Sequence, residues 1–143
     1  MDSLIIQADL DALEPVSQFV ISAASLAELD ETSSYKLRQA VDEIVTNIVE
    51  HGYAEASEPG VIGLQARIEP EALVIEIEDW GLPFDLRKVK APDLKAAMHE
   101  RGIGGLGIYL ALMNVDHILY ERVNDCNRNQ LIMKRAKVTD RVA

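Results

Sequence analysis

The alternation of apolar and polar positions predicts a short strand, two amphipathic helices, a hairpin, a loop, a third helix and a second hairpin. Residues 3–8, SLIIQA, read as the first strand. From about Asp11, the residues Leu13, Val16, Phe19, Val20, Ala23 and Ala24 recur at helical spacing. Asp11 is placed to cap that helix, with Glu14 three residues later as its capping-box partner. After the acidic turn LAELDET, a second helix starts at Thr32, Ser33 or Ser34 and reaches about residue 50. Its core stripe is Leu37, Val41, Ile44, Val45 and Ile48. Val61–Ile68 and Leu73–Asp79 alternate as a half-buried hairpin around Glu69-Pro70-Glu71, with Leu73, Ile75 and Ile77 on one face. Residues 80–101 lack periodicity and read as a long loop. A helix over about 104–114 follows, with Leu106, Leu110 and Met113 as its apolar face. Strands over 117–123 and 129–135, turned at Asn124–Asn127, close the chain. The order β-α-α-β-β-loop-α-β-β predicts an α/β (α+β) two-layer sandwich, with helices on one face of a mostly antiparallel mixed sheet.

Composition narrows the class. The 143 residues suit one domain, and 48% hydrophobic with 27% charged residues excludes a disordered chain. No apolar run approaches the roughly 20 residues of a membrane span, and the acidic N-terminus lacks a signal peptide's basic start. One cysteine, Cys126, cannot form an internal disulfide, so a cytoplasmic location is expected. The net charge of −10 argues against binding nucleic acid. That charge is unevenly divided. Residues 1–86 hold 3 basic and 18 acidic side chains, and residues 87–143 hold 11 basic and 6 acidic. Chance segregation over a solvated surface accounts for this as well as a local anion site does.

Three constellations carry candidate chemistry. On the second helix, Glu43, Asn47 and His51 step by four and form a row beside the core stripe. An Asn oxygen suits Mg²⁺, and a Glu one turn away could take a proton from a hydroxyl. A plain boundary row of surface hydrogen bonds reads equally from the spacing. In EDWGLPF, strand alternation turns Asp79 toward the apolar layer, where a buried carboxylate needs strong donors. Backbone N–H groups of a turn or a ligand amine, such as that of adenine, would satisfy it. Gly81 and Pro83 shape the exit from that strand. In ERGIGGLGIYL, glycines surround a helix start, where free N–H groups attract anions. This is either a hinge or a phosphate cradle, and it is neither a Walker loop nor a Rossmann fingerprint. The intervening loop carries Arg87, Lys88, Lys90, Lys95, His99 and Arg101, either a solvated segment or a positive lid.

Together these pieces resemble the GHKL ATP-binding superfamily (Bergerat fold), and within it the bacterial anti-sigma factor kinases of serine/threonine specificity. Glu43-x-x-x-Asn47 with His51-Gly52-Tyr53 resembles the family's N box, and Asp79-Trp80-Gly81-Leu82-Pro83-Phe84 its first glycine box. Arg101-Gly102-Ile103-Gly104-Gly105-Leu106-Gly107 resembles the second. The closing hairpin, with Asp116, Tyr120 and Asn129–Lys134, is also similar, so the likeness runs from about residue 5 to 135. The resemblance implies a histidine-kinase-like ATPase domain over 1–143 with a lid over about 82–101. It implies that Asn47 ligates Mg²⁺, Asp79 recognises the adenine amine and Gly81 shapes the adenine pocket beside Pro83. It further implies that residues 101–107 border the ATP phosphates and that Glu43 is the general base. The implied protein is a homodimer that sequesters a sigma factor and phosphorylates an anti-anti-sigma protein. A nucleotide-dependent protein-binding switch without phosphotransfer is the alternative. The transducer and dimerisation domains of larger relatives do not fit in 143 residues.

Overall fold

Aspartates start both N-terminal helices. In the computed structural model, which describes residues 2–53, 60–88 and 104–136, the Asp9 carboxylate accepts the Asp11 N–H at 2.9 Å. That bond opens a 3-10 turn, Leu10–Ala12, which leads into α1, Leu13–Leu26. Asp11 therefore lies inside the turn and is not the cap. The Asp30 carboxylate accepts the Ser33 N–H at 2.7 Å and caps α2, Glu31–Asn47. The expected Thr32, Ser33 or Ser34 start is displaced because an aspartate just upstream offers a charged acceptor to the helix N-terminus. Beyond Asn47 the helix widens into one π-type turn, Ile48–Gly52.

The strands are β1 (Ser3–Gln7), β2 (Val61–Ile68), β3 (Ala72–Asp79), β4 (His117–Val123) and β5 (Cys126–Lys134), in the spatial order β1-β2-β3-β5-β4. Every pairing among the described residues is antiparallel, so the expected mixed sheet is corrected to a uniform one. The reason is topological. The connection from β3 through α3 (Gly104–Asn114) to β4 joins strands of the same sense, but β5 sits between them. Parallel neighbours never meet.

The last hairpin turns on two residues. Asn124 and Asp125 adopt φ of 52° and 64°, and Val123 pairs with Cys126. Such a turn matches the right-handed twist of the flanking strands. The turn is thus two residues shorter than expected and β5 starts three residues earlier, which carries Asn127 out of the turn and into the sheet.

Alternation then sorts the faces. Ile62, Leu64, Leu73, Ile75, Ile77 and Leu131 point inward and are at most 1% exposed. They meet Val16 and Val20 of α1 and Leu37, Val41, Ile44 and Val45 of α2. Each such side chain contributes about 1.5–3 kcal/mol on burial. The outer face is polar: Arg128 lies 3.3 Å from Glu76, 3.5 Å from Glu78 and 2.8 Å from Glu121. On α3 the expected apolar face is corrected. Ile108 and Ala111 are buried, whereas Leu110 and Met113 are 51% and 67% exposed. The segment GIYLALM is apolar all round, so periodicity could not choose a face; packing against α2 chose it.

Candidate functional site

The sheet's inner face changes chemistry at one end. Asp79 is the last residue of β3 and 3% exposed. A row of directly opposed residues crosses the sheet there, from Ile62 through Asp79 and Asn127 to Arg122. Asp79 Oδ1 accepts the Gly81 N–H at 3.0 Å and the Asn127 Nδ2–H at 3.0 Å. Among the described residues, Oδ2 receives no hydrogen bond. Burial raises the Asp79 carboxyl above its ordinary 3.8, and the bonds from Asn127 and Gly81 and the charge of Arg122 oppose that rise.

The loop leaving β3 is tied down by backbone contact. The Leu82 N–H donates to the Gly52 carbonyl at 2.8 Å, and a Cβ on Gly81 would overlap that same carbonyl. Glycine is required at position 81 for close approach and not for a positive φ, since no described glycine has one. Arg122 Nη1 donates to the Gly81 carbonyl at 2.8 Å. Tyr53 joins the loop to β2: its hydroxyl donates to the Val61 carbonyl at 2.7 Å and accepts the Trp80 N–H at 2.8 Å.

Asn47 ends α2 and lines, with Asp79, Asn127 and Asn129, a cavity of about 20 Å³ whose other walls are Ile44, Ile48, Gly52, Leu82, Phe84 and Leu86. Asn129 is 3% exposed and its Oδ1 has no hydrogen-bond partner among the described residues. Buried acceptors without donors are rare, and a cavity that holds one is built for a ligand donor or an ordered water. A larger groove of about 380 Å³ lies elsewhere, between α1 and the β1–β2 edge, with Asp2 and Arg67 as its only polar lining among the described residues. Convergence of buried polar groups makes the smaller cavity the candidate site.

Glu43 lies one turn before Asn47 and is exposed. A Cβ on Gly107 would meet its carboxylate, so the Glu43 side chain rests against the first turn of α3. Asn47, Asp79, Gly81 and Glu43 are thus gathered at one end of the molecule, and Pro83 lines an adjoining open cleft with Tyr53, Trp80 and Arg122. His51 is not gathered in. Its side chain is 64% exposed and 3.8 Å from Glu50, because the π-type turn breaks the four-residue row after Asn47. Arg87 is held by Asp85 at 2.9 Å and lies over the Tyr120 ring, so it is already paired. Arg101, Gly102, Ile103 and lid residues 89–101 fall outside the described residues, as do the side chains of positions 104–106, Gly104, Gly105 and Leu106 being placed by backbone only.

Two inward carboxamides extend the site. The sequence pattern puts Asn127 in the turn and gives Asn129, at the start of the last strand, no role. A two-residue turn at Asn124-Asp125 with alternation counted forward puts both on one face of β5; their place beside Asp79 comes from the β3–β5 pairing.

Comparisons with known proteins identify the family and the fold. Residues 6–135 match the family model described as a histidine kinase-like ATPase domain. The anti-sigma F factor of Clostridium novyi is 28% identical over 118 residues, covering 81% of each chain. The serine-protein kinase RsbW of Staphylococcus epidermidis is 34% identical over 97 residues, 64% of this chain and 59% of that protein. The RsbU and RsbW domains of a Mycobacterium tuberculosis protein superpose with a TM-score of 0.60 at 16% identity, over 96% of this chain and 34% of that one. No helix among the described residues is long and apolar enough to cross a membrane. With the family model spanning all five strands from the middle of β1 onward and the site lying within it, this chain belongs to the histidine kinase-like ATPase domain family.

Proposed function

We propose that this chain is a Mg-ATP-dependent protein serine/threonine kinase acting as an anti-sigma regulator, working as a cytoplasmic homodimer and forming one domain over 1–143 with a lid over about 82–101. The observation that carries the reading is the buried Asp79 carboxylate sharing a cavity with Asn129 Oδ1, where neither Asp79 Oδ2 nor Asn129 Oδ1 receives a donor among the described residues. The names of the Clostridium and Staphylococcus relatives, an anti-sigma factor and a serine-protein kinase, support it.

The donor set fits an adenine nucleotide with its metal. Two buried acceptors suit the exocyclic amine, and the Asn47 carboxamide at the cavity wall suits a hard cation that takes oxygen ligands. When bound, Mg-ATP supplies the γ-phosphoryl group and a cation that neutralises its oxygens. Asp79 orients the base. The backbone N–H groups at the start of α3, with residues 101–107, border the phosphates. Glu43 accepts the proton of the protein hydroxyl as that oxygen bonds to phosphorus and ADP departs. The cavity has room for about one water, so entry of the base requires outward movement of Leu82 and Phe84, which are 45% and 41% exposed. The implied acceptor is an anti-anti-sigma protein and the sequestered partner a sigma factor.

The test is incubation with labelled Mg-ATP and the cognate antagonist protein. Label should appear on that protein's serine or threonine, and Glu43→Ala should slow transfer by roughly 10²–10⁴-fold without loss of nucleotide binding. Nucleotide-dependent partner binding with no phosphoprotein would replace the kinase by the switch.

A further inference from the structure

The Asp79 carboxylate is held from a second direction, and the residue that holds it belongs to none of the three motifs. Asn127 sits directly opposite Asp79 in the β3–β5 register. Its Nδ2 donates to Asp79 Oδ1 at 3.0 Å and to the Leu82 carbonyl at 2.8 Å. Both of those atoms are acceptors only, so the amide nitrogen must face them and the carboxamide orientation is determined by chemistry. The Asn127 Oδ1 then faces the Tyr120 hydroxyl at 2.6 Å, which must donate. Asn127 is 2% exposed and every hydrogen bond it makes through its side chain has a defined direction.

We infer that Asn127, oriented by Tyr120, is the positioning residue that sets the base selectivity of the nucleotide site. The inference rests on the reading of Asp79 given above. The Gly81 N–H bond to Oδ1 is local, two residues along the same loop, and turns with that loop. Asn127 is anchored on a strand paired on both sides, by β3 and β4, so its bond fixes the carboxylate relative to the sheet. With Oδ1 held by two donors, Oδ2 keeps one orientation toward the cavity. The second Nδ2 bond clamps the Leu82 carbonyl, so carboxylate and loop are held by the same amide. A carboxylate in a fixed orientation distinguishes a 6-amino purine, which donates, from a 6-oxo purine, which presents an acceptor.

The experiment is calorimetric titration of the whole chain with Mg-ATP and with Mg-ITP, for wild type, Asn127→Leu and Tyr120→Phe. Wild type should prefer ATP. Asn127→Leu should lower the ATP-to-ITP affinity ratio roughly ten- to hundredfold, the scale of one hydrogen bond to a charged group, with ITP affinity nearly unchanged. Tyr120→Phe, which keeps the ring, should lower the ratio in the same direction by a smaller factor. It carries the test if Asn127→Leu does not fold. Equal loss of ATP and ITP affinity in the variants would make Asn127 merely structural and overturn the inference, as would a wild type that binds ATP with no preference over ITP. A wild type that binds neither nucleotide overturns the proposed function itself, and this inference with it.

Discussion

At Asp79, the proposed adenine contact, burial carries a cost in stability. Its carboxyl is raised from 3.8 mainly by burial, so the folded form holds its proton more tightly than the unfolded form does. The contribution of this group to stability therefore falls as pH rises from the ordinary value toward the raised one. Asp79→Asn should melt about 3 °C above wild type at neutral pH, equivalent to about 1 kcal/mol, while losing ATP binding. The gain should shrink as pH falls and vanish below the ordinary carboxylate value. Thermal melts across that range check it, and a variant less stable than wild type at neutral pH would refute the argument. Two glycines give a contrasting pair. Gly81→Ala drives a methyl into the Gly52 backbone, which cannot yield, and should cost roughly 1–3 kcal/mol. Among the described residues, Gly107→Ala meets only the movable end of Glu43, and it gains up to about 1 kcal/mol of helix propensity. It should fold as well as wild type yet transfer phosphate more slowly, because the carboxylate is displaced. Denaturant unfolding and phosphotransfer assays on both variants separate the two effects.

At the scale of elements, the β4–β5 turn decides more than its two residues suggest. Asn124 and Asp125 both hold positive φ, a conformation that glycine adopts without strain. Asp125→Gly should stabilise the protein by about 0.5–1 kcal/mol, since the exposed 3.9 Å contact to Arg122 that it removes contributes little. Chemical denaturation would show the gain, and a loss would mean that the turn is held in another way. The same element marks where sequence reading succeeded and where it slipped. Strong period-2 alternation made β2 and β3 legible almost to the residue, and Asp79 with them. The β5 start was missed because CNRN carries no apolar alternation; polar residues that face inward look like a turn. The face of α3 was unreadable because a helix apolar all round has no preferred side until another helix covers one.

Across the whole molecule, the division of charge at residues 86/87 coincides with the start of the basic half, yet Arg87 at that boundary is already paired with Asp85. The opposite side of the sheet holds the other notable ionisable group. Burial, and then the neighbouring Glu78 carboxylate at 3.3 Å, push the Cys126 thiol up to about 11. A maleimide should therefore label Cys126 only as the fold opens, with a denaturant dependence that matches global unfolding by circular dichroism. Labelling at native conditions on the timescale of a free thiol would contradict this burial. By itself the sequence determined the layers, the strands and the motif residues Glu43, Asn47, Asp79 and Gly81, because periodicity and local backbone demands are written in neighbouring positions. Only the tertiary structure decided the uniformly antiparallel pairing, the buried side of α3 and the opposition of Asn127 to Asp79 across 48 residues of chain. Those features depend on which distant segments come to lie side by side, and contact across such separations leaves no period along the chain.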